Sequence, residues 1–575
     1  MSGGPEPAWI VLGRAEGTAV AAVALDIEGQ ELSRDRIAQA DVPGWVEREE
    51  QRHRPRWVWS DAPQWYGPIV AAGHRVARCH DLRLVHAILR DSALVRPEAP
   101  VKDPSSWDSP PAEQDTRGAT LFDLADAESV TTPHDIDEAL AEFQRQRAAI
   151  AEGADATRLR LLAAAESAGA LIAVELRAAG VPWDAGKHDA ILQDALGPRP
   201  HSGGVPTKML TAADRVRTAL GDPAVSLDSQ PKLLRALHRS GVQVASTSRW
   251  ELAQHTHPVI EPLLEYKKLA RLLSANGWAW LDDWVAGGRF RPVYVPGGVV
   301  TGRWASSGGG ALQLPRQLRA AVRADPGWKL VVADVAQLEP RVLAGMSRDM
   351  ALADAARGRD LYSGIVDSGA AATRDEAKLA ILGAMYGATT GDSGRLVPRL
   401  RRIFPRAMAL VDDAARVGED GGIVTTWLGR SSPPPSSEWV EILARATEAD
   451  ATPAQELGAR RLARDRGRFT RNFVVQGTAA EWALAWLADL RLRLAELRGS
   501  AADAGHSRSG PAFAEHPHLA FFLHDEVIVH APASTADAVA DAIAGAADAA
   551  GHLLFGDFPL DFPLDLRITD SAEKS

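Results

Sequence analysis

Apolar positions in the first ninety residues come in short runs broken by polar ones. WIVLGR and TAVAAVALDIEG predict a pair of strands, followed by RWVWS, a helix through IVAAG, and HRVARCH leading into HDLRLVHAILR. This is the pattern of a small α/β unit. The Pro/Ser-rich stretch 97–114 predicts a loop. From Asp155 to Ala179 the period becomes helical, with Leu161, Leu162, Ala165, Ala168, Leu171 and Ile172 on recurring faces. Further helices are predicted over roughly 207–285. A Gly-rich patch, VPGGVVTGRWASSGGGALQLP (295–315), precedes the strand KLVVAD. Helices then dominate to about 417, SSPPPSS (431–437) predicts a loop, and HLAFFLHDEVIVHAP predicts a late strand pair. No repeat of 20–50 residues is present, which excludes a solenoid.

A chain of 575 residues has room for three or four domains of about 150 residues. Its 46% hydrophobic and 24% charged content is that of a globular protein with a large core, which excludes wholesale disorder. A single cysteine, Cys79, excludes a disulfide framework and a Cys-based zinc site, and points to a reducing, intracellular setting. The opening residues lack the pattern of a signal peptide, and no uninterrupted apolar run is long enough to span a bilayer.

The formal net charge of −11 argues against nucleic acid, but it conceals local asymmetry. Residues 395–406 carry Arg395, Arg399, Arg401, Arg402 and Arg406 without an acid. Residues 459–471 carry Arg460, Arg461, Arg464, Arg466, Arg468 and Arg471 against Asp465 alone. Such stripes suffice to track phosphates, because fields fall off within about 10 Å at moderate salt. Taken alone, they fit a solvated helix face better.

Candidate chemistry lies at two carboxylate sites. Asp334 closes the strand KLVVA and opens the helix of QLEPRVLAGM. Asp525 and Glu526 sit at the bend of a predicted hairpin, LAFFLHDEVIVHA. Carboxylates at strand ends among apolar neighbours call for a partner or a cation. Two of them on separate strands are what a two-metal phosphoryl-transfer site needs. The plainer alternative makes Asp334 a helix N-cap and His524–Asp525 turn residues. Between the two sites, Arg374, Lys378, Leu382 and Tyr386 recur every four residues along one helical stripe. Two cations and a ring on one face suit a triphosphate and a base.

These segments resemble motifs A, B and C of the family A DNA polymerases, the bacterial DNA polymerase I type. DVAQLEPRVLA resembles motif A, RDEAKLAILGAMYG motif B, and HDE motif C; TGRWASSGGGALQLP and RNFVVQGTAAEWA resemble two further family segments. The resemblance implies a multidomain α/β protein. A small RNase H-like, exonuclease-type domain (1–155) precedes a right-hand polymerase (156–575). The helical thumb covers about 175–290, the palm with its antiparallel sheet about 291–350 and 425–575, and the helical fingers about 351–424. It implies a template-directed polymerase for replication or repair, adding dNTPs to a primer on primer–template DNA. The protein would work as a monomer, away from membranes, in the bacterial cytoplasm at the nucleoid.

By the same resemblance, Asp334 and Asp525 hold two Mg²⁺ ions, with Mn²⁺ as a substitute, and Glu526 supports them. Arg374 and Lys378 clamp the phosphates, Tyr386 and Gly387 border the nascent base pair, and Glu339 is the steric gate against a ribose 2′-OH. Arg303, Arg468, Asn472, Gln476 and His524 match positions that touch DNA. This chain departs from the family pattern at three places. Val335 and Leu382 replace aromatic residues, and Tyr362 stands where the family has a phosphate-contacting His.

The N-terminal unit aligns loosely with the family's 3′→5′ exonuclease. Asp26 and Glu28 would supply its Asp-x-Glu, but Trp65 and Gly153 stand where two metal-binding Asp residues are expected. The domain is therefore expected to be degenerate, with Asp61 and Asp155 as the possible displaced ligands, and no length remains for a 5′ nuclease domain. The alternatives are a bifunctional enzyme with an active exonuclease, or a catalytically silent DNA-binding scaffold. Intact Asp334, Asp525, Arg374 and Lys378 speak against silence.

Overall fold

The computed structural model describes residues 6–108, 132–387, 391–500 and 507–573. They form two compact units. The first comprises Met1–Gly180, Val293–Gly308 and Asp325–Thr569; the second comprises Val181–Pro292, Gly309–Ala324 and Asp570–Ser575.

The first unit begins with a five-stranded sheet of order β3-β2-β1-β4-β5. Its strands are β1 (Trp9–Arg14), β2 (Ala19–Leu25), β3 (Glu31–Ala38), β4 (Arg56–Trp59) and β5 (Arg78–Asp81). The first three pair antiparallel, and β4 and β5 run parallel to β1. Helices α1 (Val42–His53), α2 (Ala62–Ala71), α3 (Leu82–Asp91), α4 (Ile136–Ala151) and α5 (Ala156–Ala179) accompany it. The strand expected for WIVLGR forms as β1, whereas that expected for TAVAAVALDIEG forms only over Ala19–Leu25. Strand β3 was not expected, because ELSRDRIA is an edge strand with mostly exposed polar side chains and no apolar alternation.

The two units do not divide at the boundary expected at 155: the first runs on from there through Gly180. Asp155 does cap α5, accepting from the Arg158 amide. The helix it starts nevertheless belongs to the N-terminal core: Ala170, Leu171 and Ala179 are buried with Ile10, Leu12, Trp57 and Tyr66.

The rest of the first unit is built on a four-stranded antiparallel sheet. It comprises β6 (Trp328–Val335), β7 (His518–Leu523), β8 (Glu526–Pro532) and β9 (Leu564–Thr569), in the order β7-β8-β6-β9. Within β6, Leu330, Val331, Val332 and Ala333 are buried in succession, so this stretch is apolar without alternation. Around it stand α6 (Leu338–Ser347), α7 (Leu361–Asp367), α8 (Arg374–Tyr386), α9 (Gly391–Ile403), α10 (Pro405–Glu419), the 44-residue α11 (Pro453–Glu496) and α12 (Ala536–Phe555). Leu343, Tyr362, Ile381, Met385, Met408 and Phe473 share one core, which fixes α8 relative to α6, α10 and α11.

Helix α12 is long and apolar enough to cross a membrane by length and composition. Its pattern is nevertheless that of a core helix. Val539, Ile543, Ala546, Ala550 and Leu554 are buried, whereas Asp537, Asp541 and Asp548 are exposed.

The second unit is mainly helical, with helices Ala185–Leu196, Thr207–Leu220, Gln230–Arg239, Ile260–Asn276 and Trp278–Trp284. Leu192, Val216, Leu237 and Leu263 form its core. Trp183, Trp280 and Phe290 meet as an aromatic cluster with centroids 4.7–5.4 Å apart. The unit's first segment, Val181–Pro292, overlaps the range of about 175–290 expected for a thumb.

Candidate active site

Asp334 is the penultimate residue of β6, opposite Glu526 on β8 and Asp565 on β9. The helix after β6 is capped at Gln337, so the N-cap reading of Asp334 fails. The tight bend joining β7 to β8 is His524–Asp525, with His524 at φ 57°. The Val335 amide donates to the Asp525 carbonyl at 2.9 Å, which draws this bend alongside the end of β6. Two carboxylates 191 positions apart in the chain thus share one end of the sheet.

Burial pushes the Asp525 carboxyl up to about 6, reinforced by the charge of Asp334 and then by Glu526 and Glu339. Acids that oppose one another's ionisation are a fitting seat for a hard divalent cation. Among the described residues no three His, Cys, Asp or Glu side chains already make a metal cage.

Glu339, in the first turn of α6, accepts from Arg303 Nη2 on one carboxylate oxygen and from the Tyr386 hydroxyl on the other. Burial and this carboxylate together raise the Tyr386 hydroxyl above its ordinary value. The contact ties the end of α8 to the carboxylate end of the sheet. Helix α8 starts at Thr373, whose hydroxyl accepts from the Glu376 amide, and stops at Gly387 with φ 74°. A Cβ at 387 would meet Arg468 Cγ at 2.7 Å, so glycine is required there twice over.

The expected stripe is present. Arg374 and Lys378 are exposed, Leu382 is half-buried and Tyr386 is 40% exposed. Lys378 has no ion pair among the described residues. Arg374 is held by Asp360, through Nε to Oδ1 at 3.2 Å and Nη2 to Oδ2 at 2.9 Å, and lies 5.3 Å over the buried Tyr362 ring. Asp360 was not anticipated. An Asp beginning a short helix reads as a cap, and it is one, accepting from the Ser363 amide.

On α11, Arg468, Asn472 and Gln476 fall on one face at four-residue spacing. Arg468 pairs with Asp465, and the buried Asn472 Oδ1 has no hydrogen-bond partner among the described residues. The arginine stripe is only partly a free surface. Arg466 donates to the Gly422 and Pro433 carbonyls, and Arg471 to the Ala384 carbonyl and Asp412, whereas Arg460, Arg461 and Arg464 are exposed. In the second unit, Arg249, Lys267, Lys268, Arg271 and Arg316 line a cavity of about 1310 Å³.

The candidate exonuclease ligands have local duties instead. Asp26 and Glu28 lie in the turn after β2, where Asp26 Oδ1 accepts from the Gln30 amide at 2.7 Å. Asp61 is buried against Arg83 at 3.4 Å, and Asp155 pairs with Arg158 at 3.2 Å. Trp65 Nε1 donates to Ser60 Oγ, and a Cβ at Gly153 would meet Leu159 Cδ1 at 2.7 Å, so no carboxylate fits at 153 without rearrangement.

Residues 227–569 match the profile of DNA polymerase family A, more than half of the chain. A thermostable DNA polymerase I of Thermus aquaticus is 25% identical over 361 residues, and the DNA polymerase I of Chloroflexus aurantiacus is 30% identical over 285. The first alignment takes in 57% of this chain but 38% of the Thermus protein, and the second 45% and 28%. Among solved structures, the POL domain of Pol1 from M. smegmatis, in complex with DNA primer-template and dNTP, superposes with a TM-score of 0.66 at 17% identity. That match covers 98% of this chain and 95% of the other, and it shows a shared fold.

Proposed function

Because the chain belongs to DNA polymerase family A, we propose that it is a template-directed DNA polymerase, extending a primer 3′-OH with dNTPs. The observation that carries this reading is the pairing of Asp334 with Asp525 at one end of the sheet, with the α8 stripe joined to that end through Tyr386 and Glu339. Asp334 and Asp525 would hold two Mg²⁺ ions, and Glu526 would lie beside them. When bound, the ions supply activation of the 3′-OH and neutralise charge on the triphosphate. Arg374 and Lys378 offer cationic donors to the phosphates. Tyr386 and Gly387 border the new base pair, and Arg303, Arg468, Asn472, Gln476 and His524 contact primer and template. The basic cavity of the second unit would track duplex phosphates. Primer extension with Mg²⁺ and dNTPs should lengthen a labelled primer only when a template is annealed; no lengthening under any of these conditions would refute the reading.

Glu339 would exclude ribonucleotides, because its carboxylate is held from both sides by Arg303 and Tyr386. Glu339→Ala should raise the ratio of ribonucleotide to deoxyribonucleotide incorporation by about 10-fold or more, the scale of steric discrimination in a fitted pocket. Single-nucleotide kinetics check it, and an unchanged ratio would assign the gate elsewhere.

The N-terminal domain would act as a scaffold rather than a nuclease. With Asp26, Asp61 and Asp155 each committed to a turn, an arginine or a cap, a two-metal site lacks its ligands. A 3′-labelled single strand incubated with Mg²⁺ or Mn²⁺ and no dNTPs should stay intact. Stepwise shortening that disappears in Asp26→Ala would overturn this.

A further inference from the structure

The Arg374 guanidinium has two edges able to grip an anion in a bidentate way, and Asp360 occupies one of them. Its carboxylate takes Nε at 3.2 Å and Nη2 at 2.9 Å, while the Tyr362 ring lies beneath the guanidinium plane at 5.3 Å. The end-on edge carrying Nη1 has no hydrogen bond to any described residue. Asp360 is itself immobilised. It accepts from the Ser363 amide at 2.8 Å and hydroxyl at 3.0 Å, and from Gln337 Nε2 at 3.0 Å. Gln337 stands three residues past Asp334, in a left-handed conformation with φ 50° that is unusual for a residue other than glycine. Its Oε1 accepts from the buried Arg341 Nη2 and from the Leu361 amide, both at 3.4 Å. A continuous set of hydrogen bonds therefore runs from the turn behind the metal-site strand, through Gln337 and Asp360, to the guanidinium at the head of α8.

We infer that Asp360 is a positioning residue for the incoming nucleotide: it holds Arg374 by one edge so that the other faces the triphosphate. Without this anchor, an exposed arginine at the first turn of a helix samples many rotamers, and each binding event must freeze them. An arginine whose plane is already set loses less on gripping a phosphate. The carboxylate would otherwise be an odd neighbour for a polyanion site; paired edge to edge with Arg374, its charge is cancelled where the phosphate approaches. The inference rests on the polymerase reading above, but its failure can be told apart from the failure of that reading.

The test is Asp360→Asn, which keeps a capping side chain for α7 while removing the charge that grips Arg374. In single-nucleotide incorporation, KM for dNTP should rise about 10-fold, the worth of a charge-assisted pair, with kcat within about 2-fold. In an Arg374→Ala background the same substitution should change KM by less than about 2-fold, because the group it positions is gone. A merely structural role for Asp360 would give the same loss with or without Arg374, and that outcome overturns the inference, as does an unchanged KM in Asp360→Asn. A second measurement does not need catalysis. Inorganic triphosphate with Mg²⁺, titrated calorimetrically, should bind about 10-fold more weakly to Asp360→Asn than to the wild-type protein. Equal affinities overturn the inference, and this holds even if the wild type were to extend no primer, a result that would refute the polymerase reading alone.

Discussion

Asp525→Ala should lower primer extension by on the order of 1000-fold or more, while leaving primer–template binding close to wild type. The size follows from where the residue sits. It is one of two acids brought together where the ends of β6 and β8 meet. Removing it leaves Asp334 facing Glu526 across the sheet, on strands whose register is otherwise untouched. The fold should not suffer. Burial and the charge of Asp334 already push the Asp525 carboxyl up to about 6, so its ionised form is a source of strain in the metal-free protein. The variant should therefore melt no lower than the wild type. The check is a steady-state extension rate beside a DNA-binding isotherm and a melting curve. Extension near the wild-type rate would remove Asp525 from the site; loss of rate together with loss of DNA binding and a lower melting temperature would recast it as structural.

The second large effect is on stability, and lies far from the carboxylates. Arg491 on α11 is buried and donates to Glu175 on α5 through Nε at 3.1 Å and Nη2 at 2.7 Å, and to the Ala77 carbonyl at 2.9 Å. Arg75 grips the same carboxylate at 2.9 Å, and the Tyr66 hydroxyl donates to it at 2.6 Å. Arg491→Ala leaves a buried carboxylate short of its strongest partner and should cost about 3–5 kcal/mol. Thermal melting and protease resistance would read this directly; a melting curve that matches the wild type would contradict it. The pH dependence has a definite sign. Burial pushes the Glu175 carboxyl up, but Arg491 and then Arg75 outweigh it and hold the group at about 2, below its ordinary 4.5. A depressed carboxyl contributes stability above 4.5 and loses it as the pH falls from there toward about 2. In Arg491→Ala the carboxyl loses its main reason to stay below 4.5, so this acid-dependent loss of stability should be smaller than in the wild type.

What the amino-acid pattern reveals of this site is local. KLVVAD, the HDE hairpin and the four-residue stripe of α8 are each written in a short window, by apolar runs and helical spacing. They were legible for that reason. Partners drawn from distant segments were not. Nothing around Asp360 distinguishes a helix cap from an anchor for Arg374, and nothing around Arg491 marks it as buried among residues some 300 to 400 positions away. Asp26 and Glu28 show the opposite failure. The run TAVAAVAL extends smoothly into DIEG, so the Asp-x-Glu spacing looks like a strand end bearing two ligands. The strand stops at Leu25, and Gly29, with φ 87°, closes a turn that needs Asp26 as its acceptor.

Glu339 answers to two neighbours with one carboxylate, Arg303 on one oxygen and Tyr386 on the other. Mechanically this is a shared pin. Any atom that forces the carboxylate aside frees a cation from the loop at 303 and an aromatic ring from the end of α8 in the same movement. Gly387, the next residue, lies against Arg468 with no room for even a methyl group. Under the proposed polymerase reading, a sugar that pressed on this carboxylate would load both contacts at once rather than one at a time.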